Sequence, residues 1–219
     1  MTAIARMAML DLRTVRPYRT QGLALFAVVV LIDIRSPVVI VPVLVLLVTS
    51  QIASYPFHVA DKAGLETLYS VLPVPRRSVL YGHYAWALVS FLATATVGTA
   101  LAVLIARVQS LPLAGATLVE ILAVSWALFA VNVGVQFPLL IRFGYTQTSV
   151  LSTTLPLALV GVAVVRLHLS VTWLQTWYPL LWIVGVAAIV TSAVVARSAD
   201  QRRVRYRTGE RDHRTGRDQ

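Results

Sequence analysis

The chain has 219 residues, of which 58% are hydrophobic and only 13% are charged. Soluble domains carry about 25% charged residues, so this composition leaves too little polar surface to cover a water-soluble globule. The net charge of +10 is therefore attributed to membrane topology rather than to nucleic-acid binding, and the absence of cysteine excludes disulfides and thiolate metal sites.

The two terminal segments are predicted to lie at the membrane surface. In segment 1–19, apolar residues alternate with arginines, a pattern typical of an interfacial amphipathic helix. A frayed tail whose arginines only set the topology is the alternative. Segment 197–219 is polar and rich in arginine, which predicts a disordered cytoplasmic tail attracted to anionic lipid.

The segment 20–196 is predicted to be a transmembrane domain. A bilayer core of about 30 Å needs roughly 20 apolar helical residues. The runs of sufficient length are 37–56, 84–106, 113–140, 149–167 and 177–196. A further run, from Thr20 to Ile34, is short and crosses only if its flanking charges snorkel or the bilayer thins. The predicted fold class is an all-α polytopic membrane protein with six transmembrane helices.

The distribution of basic residues favours six crossings over five. With six spans, sixteen of the nineteen Lys and Arg residues lie on one face, and Arg35, Arg107 and Arg166 lie on the other. The positive-inside rule places the more basic face in the cytoplasm, together with both termini. Five spans would leave one basic terminus outside.

Polar and small side chains within the apolar runs predict interior faces. Glu120 is acidic and well inside a run, and ionisable groups are costly enough in a membrane to be functional candidates. A structural role near interfacial water is its alternative. The predicted translocation path adds polar residues at helical spacings of seven and four: Ser125, Asn132 and Gln136. A ridge of small residues predicts close helix contact: Thr94, Gly98, Ala102 and Ala106.

The sequence offers no site for ATP. A phosphate-binding loop needs glycine-rich backbone followed by Lys and Ser or Thr, but the single lysine, Lys62, stands between Asp61 and Ala63. The four histidines form no pair at a metal-binding helical spacing. We therefore expect no enzymatic activity, cofactor or metal in this chain. An intramembrane enzyme using Glu120 is an alternative without a supporting motif.

The segment 57–80, between the second and third predicted spans, indicates a docking function. It contains the apolar face of a short helix at spacings of three and four: Leu65, Leu68, Tyr69 and Leu72. Pro73 ends this helix. Because acidic residues lie beside the apolar face, docking into a protein partner is favoured over binding to anionic lipid.

Two motifs resemble those of the ABC-2 type permeases, in particular the small six-span group that includes phenol-soluble-modulin exporter permeases. The first is Asp-Lys-x-Gly-Leu-Glu at 61–66, followed by Ser-x-Leu-Pro at 70–73 and by Arg76. The second is Pro-Leu-x-x-Arg-Phe-Gly at 138–144. The two motifs occur in the family's order, and both fall on the predicted cytoplasmic side.

The resemblance implies a permease subunit of an ABC exporter in the bacterial plasma (inner) membrane. Two separate ATPase subunits would bind ATP and Mg²⁺, and a second copy of this chain or a paralogue would complete the path. The residues implied to dock on the ATPase are Asp61, Lys62, Gly64, Leu65, Glu66, Leu68, Tyr69, Leu72, Pro73 and Arg76. The second cytoplasmic motif contributes Pro138, Arg142, Phe143 and Gly144. The alternative is a stand-alone membrane protein with an immunity, sensor or assembly role.

Overall fold

The computed structural model describes residues 9, 19–62, 76–146, 148, 150, 154–159, 161–162 and 177–198. These residues form helices and connecting loops, and no strand occurs among them. The helices used below are α1 (Arg19–Ile32), α2 (Pro37–Lys62), α3 (Arg76–Val108), α4 (Gly115–Phe143) and α5 (Trp177–Ser198). The all-α class predicted from the sequence is confirmed for the described residues.

Four helices, α2 to α5, are long and apolar enough to cross a bilayer. They confirm long apolar helices at four of the predicted runs. The short first run is also helical, since α1 is an apolar helix too short to belong to that set. Most of the predicted span 149–167, most of segment 1–19 and nearly all of segment 197–219 lie outside the described residues, so the count of six stays a prediction.

Contacts at the two ends of the bundle fix the helix directions. At one end, Gln109 Nε2 donates to the Ile34 carbonyl at 2.8 Å, which joins the loop after α1 to the loop after α3. At the other, the Thr146 N–H donates to the Asp61 carboxylate at 2.9 Å. We call these the Gln109 end and the Asp61 end. Helices α2 and α4 therefore run toward the Asp61 end, and α3 runs toward the Gln109 end.

Helix α5 runs parallel to α4. Near the start of α5, Trp182 stacks on Trp126 of α4, with ring centroids 5.9 Å apart. Near its end, the Ser192 hydroxyl lies 2.6 Å from the hydroxyl of Tyr84, which is in the part of α3 close to the Asp61 end. Helix α5 therefore begins at the Gln109 end, although α4 finishes at the Asp61 end.

Helix α2 is the central helix of the described bundle. Its residues Ile40, Leu44 and Leu46 are completely buried, whereas α5 exposes most of its large apolar side chains. Helix α3 approaches α2 at Gly98, where a Cβ atom would lie 3.4 Å from Leu44 Cδ1. The predicted ridge of small residues in α3 is buried along its whole length, which confirms the close helix contact.

Helix α2 extends past the predicted boundary at 56 because a neighbouring helix compensates for a proline. Pro56 has no N–H, so the carbonyl of Ile52, four residues earlier, loses its helical hydrogen bond. Trp86 Nε1 of α3 donates to that carbonyl at 3.2 Å. The helix therefore continues to Lys62, and α3 begins at Arg76 rather than at 84, so both ends of the predicted docking segment 57–80 are helical.

We expect Trp86→Phe to destabilise the folded chain by about 1 kcal/mol, because the ring still packs while the Ile52 carbonyl loses its donor. Adding Pro56→Ala supplies a backbone N–H at the position that the helix requires, so the double variant should recover most of the loss. Unfolding of all four chains in detergent gives the coupling free energy. Strictly additive effects would show that the indole does not replace the missing backbone bond.

Candidate functional site

The two predicted cytoplasmic motifs meet at Asp61. Its carboxylate accepts a hydrogen bond from the backbone N–H of Thr146 at 2.9 Å and another from the Thr146 hydroxyl. Thr146 is the second residue of a helical stretch that begins at Tyr145, and the free N–H groups of a helix start favour a carboxylate. Asp61 therefore caps a helix start that is 85 residues away in sequence.

Gly144 forms the turn that brings Thr146 to Asp61. Its φ is +80°, in a region of backbone conformation that residues with a Cβ atom rarely adopt. Its N–H donates to the Leu140 carbonyl at 2.9 Å and so closes the last turn of α4. A Cβ atom on Gly144 would lie 3.6 Å from Asp61 Oδ1. The backbone conformation of the turn thus explains why glycine occupies this position of the second motif.

An aromatic cluster holds three helices together just inside the Asp61 end. Phe137 of α4 is completely buried and makes edge-on contacts with Phe57 of α2 and Tyr84 of α3, at centroid distances of 5.1 and 5.0 Å. Phe57 also lies 4.6 Å from the ring of His83. Edge-to-face contacts of this kind are favourable beyond the burial of the rings. The cluster fixes the spacing of α2, α3 and α4 below the Asp61–Thr146 contact.

His58 belongs to the same end of the bundle. Its ring contacts Tyr145 edge-on at 4.7 Å, one residue before Thr146. Burial raises the pKa of the Tyr145 phenol, so this side chain stays neutral at physiological pH. The His58–Tyr145 contact therefore adds a second, aromatic connection between the last turns of α2 and the chain after α4.

The polar stripe of α4 is buried inside the protein. Asn132 Nδ2 donates to Ser50 Oγ of α2 at 2.7 Å and to Gln136 Oε1 at 3.3 Å. The Ser125 hydroxyl donates to a backbone carbonyl of its own helix at 2.7 Å. Glu120 is also buried and lies in the second turn of α4, toward the Gln109 end. The stripe therefore faces protein rather than lipid, and its role as a translocation path stays a prediction.

The stripe meets α2 directly after an interruption of that helix. Residues Val45–Thr49 form a π-helical turn, which sequence analysis did not predict, and Ser50 follows it. Thr49 Oγ1 and Asn132 Oδ1 are buried without a hydrogen-bond partner among the described residues. Such atoms cost about 1–3 kcal/mol each. The contact between α2 and α4 therefore combines irregular backbone with polar atoms that can accept further hydrogen bonds.

The chain matches a known family over most of its length. A sequence profile of the family described as ABC-2 family transporter protein matches residues 9–198. The chain belongs to the ABC-2 transporter family. The resemblance to ABC-2 type permeases drawn from the two motifs is thereby confirmed. Curated proteins and solved structures gave no significant match.

Membership in the ABC-2 family makes the chain a multi-pass membrane protein and a component of membrane transport, in a family whose proteins are not themselves catalytic.

The other described residues of the two family motifs lie near the ends of helices. Arg142 and Phe143 are exposed, with the guanidinium carbon 5.1 Å from the ring centroid, and Pro138 is half-buried within α4. Lys62 is exposed at the end of α2, and Arg76 begins α3.

The predicted docking residues between 63 and 75 lie outside the described part of this ABC-2 family protein. They are Gly64, Leu65, Glu66, Leu68, Tyr69, Leu72 and Pro73. The described residues on either side, Lys62 and Arg76, end α2 and begin α3. Since α2 runs toward the Asp61 end and α3 runs away from it, the segment connects two helices at that end.

The sequence of this ABC-2 family protein did not predict the hydrogen bonds of Ser50 and Thr146. Each has its partner far away in sequence, with 82 residues separating Ser50 from Asn132 and 85 separating Thr146 from Asp61. A hydroxyl in an apolar run carries no sign of such a partner. For Thr146, the signal available was a threonine two residues after the glycine that ends α4, a position suited to a new helix start.

Proposed function

We propose that this chain is the permease subunit of an ABC exporter, driven by two separate ATPase subunits that bind ATP and Mg²⁺. The family match over residues 9–198 is the observation that carries the proposal. Because the sequence has no glycine-rich phosphate loop before Lys62, ATP hydrolysis falls to the partner. A second permease copy, or a paralogue, completes the exporter.

The helix directions support six crossings. Tyr55 of α2 donates to Gln21 Oε1 at 3.3 Å, so α1 begins near the Asp61 end and runs opposite to α2. The connection from α4 to α5 joins opposite ends of the bundle, which calls for one more crossing in the predicted span 149–167. Six crossings bring both termini to the Asp61 end. The positive-inside rule then places this end in the cytoplasm of a bacterial plasma (inner) membrane.

In this proposal the ATPase docks on the segment 63–75 at the Asp61 end. Closure of the ATPase dimer on ATP moves the segment, and the adjoining helices α2 and α3 move with it. The polar contact between Ser50 and Asn132 lies where α2 and α4 line the interior, so it is suited to a substrate path. A substrate shifts the balance between two accessibility states only through different affinities for them.

Leu68→Asp tests docking. We expect the wild-type chain, co-expressed with a candidate ATPase that contains a Walker A loop, to copurify with that subunit and to raise its ATP turnover. A charge on the apolar face should reduce complex formation by at least about tenfold, since burying an unpaired carboxylate in an interface costs more than about 1.4 kcal/mol. Copurification and ATP hydrolysis in lipid nanodiscs measure both quantities.

Thr67→Asp is the matched control for docking, because at helical spacing residue 67 falls opposite the apolar face and adds the same charge. It should form the complex as well as the wild type does. If Leu68→Asp formed the complex and raised ATP turnover as well as the wild type does, the docking proposal would be wrong. A wild-type chain that binds no ATPase at all would favour the stand-alone membrane protein instead.

A further inference from the structure

We propose that Asp61 and Thr146 form a mechanical link that carries movement of the docking segment into α4. The inference rests on the proposed function, because it assumes that an ATPase moves segment 63–75. Asp61 is the penultimate residue of α2, and only Lys62 separates it from that segment. Thr146 follows the Gly144 turn that ends α4. A displacement of the segment therefore soon reaches Asp61, whose carboxylate is hydrogen-bonded to Thr146 after α4.

The link is directional because one carboxylate accepts two hydrogen bonds from the same residue. The backbone N–H of Thr146 fixes the position of the main chain after α4, at 2.9 Å from Asp61 Oδ2, and the hydroxyl fixes its orientation. Hydrogen bonds to an ionised acceptor are about twice as strong as neutral ones. The ring contacts nearby, such as Phe57 on Phe137, fix the spacing of the helices but are less directional than a hydrogen bond.

The link also has a target inside the bundle. Helix α4 continues from Gly144 back through Gln136 to Asn132, and these side chains make the polar contact with Ser50 of α2. If α2 and the chain after α4 move together at the Asp61 end, the two helices pivot as a unit there. The polar contact, two to three turns deeper, then experiences the same rotation. Asp61 and Thr146 are thus positioning residues that touch no substrate.

Spin labels measure whether the two sides move together. The chain has no cysteine, so Ala60→Cys and Val150→Cys introduce a label pair without background, and Val150 is 77% exposed. In the complex with the ATPase, the wild-type label distance should stay unchanged on addition of ATP and vanadate. With Asp61→Ala, ATP and vanadate should shift the distance by about 2 Å or more and broaden it, since helix movements of this kind span 1–5 Å.

Three controls separate transmission from simple stability. Thr146→Ser keeps both donors and should behave like the wild type, and Asp61→Asn keeps a neutral acceptor and should give an intermediate shift. Asp33→Ala removes an aspartate from the loop at the Gln109 end and should leave the label distance independent of ATP. ATPase binding is measured on the same samples and should be retained in Thr146→Ser and Asp33→Ala. Because Asp61 is also a predicted docking residue, Thr146→Ala, which removes the hydroxyl donor from outside the docking residues, should likewise give a label distance that shifts with ATP and vanadate.

An ATP-independent label distance in Asp61→Ala, within a complex that forms normally, would overturn the link and leave the proposed function intact. A distance that is equally broad with and without ATP would identify Asp61 as a structural cap and would also overturn the link. Failure of the wild-type chain to bind the ATPase is seen at copurification, before any label is read. That result would contradict the proposed function, and the transmission role would fall with it.

Discussion

Gly185→Ala is expected to destabilise the chain by about 3 kcal/mol, the upper range for overpacking a well-filled interior. A Cβ atom on Gly185 of α5 would lie 2.2 Å from Trp126 Nε1 and 2.6 Å from its Cδ1. The Trp126 indole cannot easily move away. Its N–H donates to the Trp182 carbonyl at 3.2 Å, and its ring stacks on the Trp182 ring. The methyl group therefore separates α5 from α4.

Gly22→Ala is the matched control, since Gly22 lies within α1 and a Cβ atom there meets nothing within 4 Å. Alanine favours helix by about 1 kcal/mol over glycine, so this variant should be unchanged or slightly stabilised. Thermal unfolding of both variants in the same detergent makes the comparison. If Gly185→Ala melted at the wild-type temperature, the close contact between α4 and α5 would be wrong.

Phe137→Ala is expected to cost about 3 kcal/mol, near the lower limit for removing a buried phenylalanine. The lower limit applies because unfolded helices in a membrane still place the ring in an apolar medium, so the loss is mainly one of packing. Phe137 is completely buried and contacts Phe57 and Tyr84. Removing it leaves a cavity where α2, α3 and α4 meet.

Phe143→Ala removes the same side chain two turns later on α4, where 45% of it is exposed, and should cost less than about 0.5 kcal/mol. Denaturant titration of both variants in detergent gives the difference. The Phe137 cavity should also weaken the nearby Asp61–Thr146 contact, which faster proton exchange of the Thr146 amide would reveal. Equal stability of the two variants would show that the aromatic cluster does not hold the Asp61 end together.

The sequence predicted the parts of the fold that depend on local composition. Long apolar runs located α2 to α5, and the spacing of small residues around Gly98 located the face that α3 turns to α2. The polar stripe ending at Gln136 was expected to avoid lipid, and it is buried. Each of these predictions depends on how favourably side chains transfer between water, lipid and protein. That preference can be estimated from the composition of a single segment.

The remaining features depend on partners that are distant in sequence. The helix end at Lys62, rather than at 56, required Trp86 to satisfy the carbonyl that Pro56 leaves free. The bonds of Asp61 to Thr146 and of Ser50 to Asn132 join different helices, and nothing in either segment alone specifies the pair. Motif resemblance supplied what local patterns did not, namely the family.

The side of the membrane on which segment 63–75 lies tests the proposed function most directly, because a segment outside the cell has no ATPase to bind. The cysteine-free chain allows single reporters for a membrane-impermeant maleimide at Thr67→Cys and at Leu111→Cys, which lies in the loop at the Gln109 end. We predict that intact cells label Leu111→Cys alone and that Thr67→Cys reacts only after the membrane is permeabilised. Labelling of Thr67→Cys in intact cells would contradict the proposed permease.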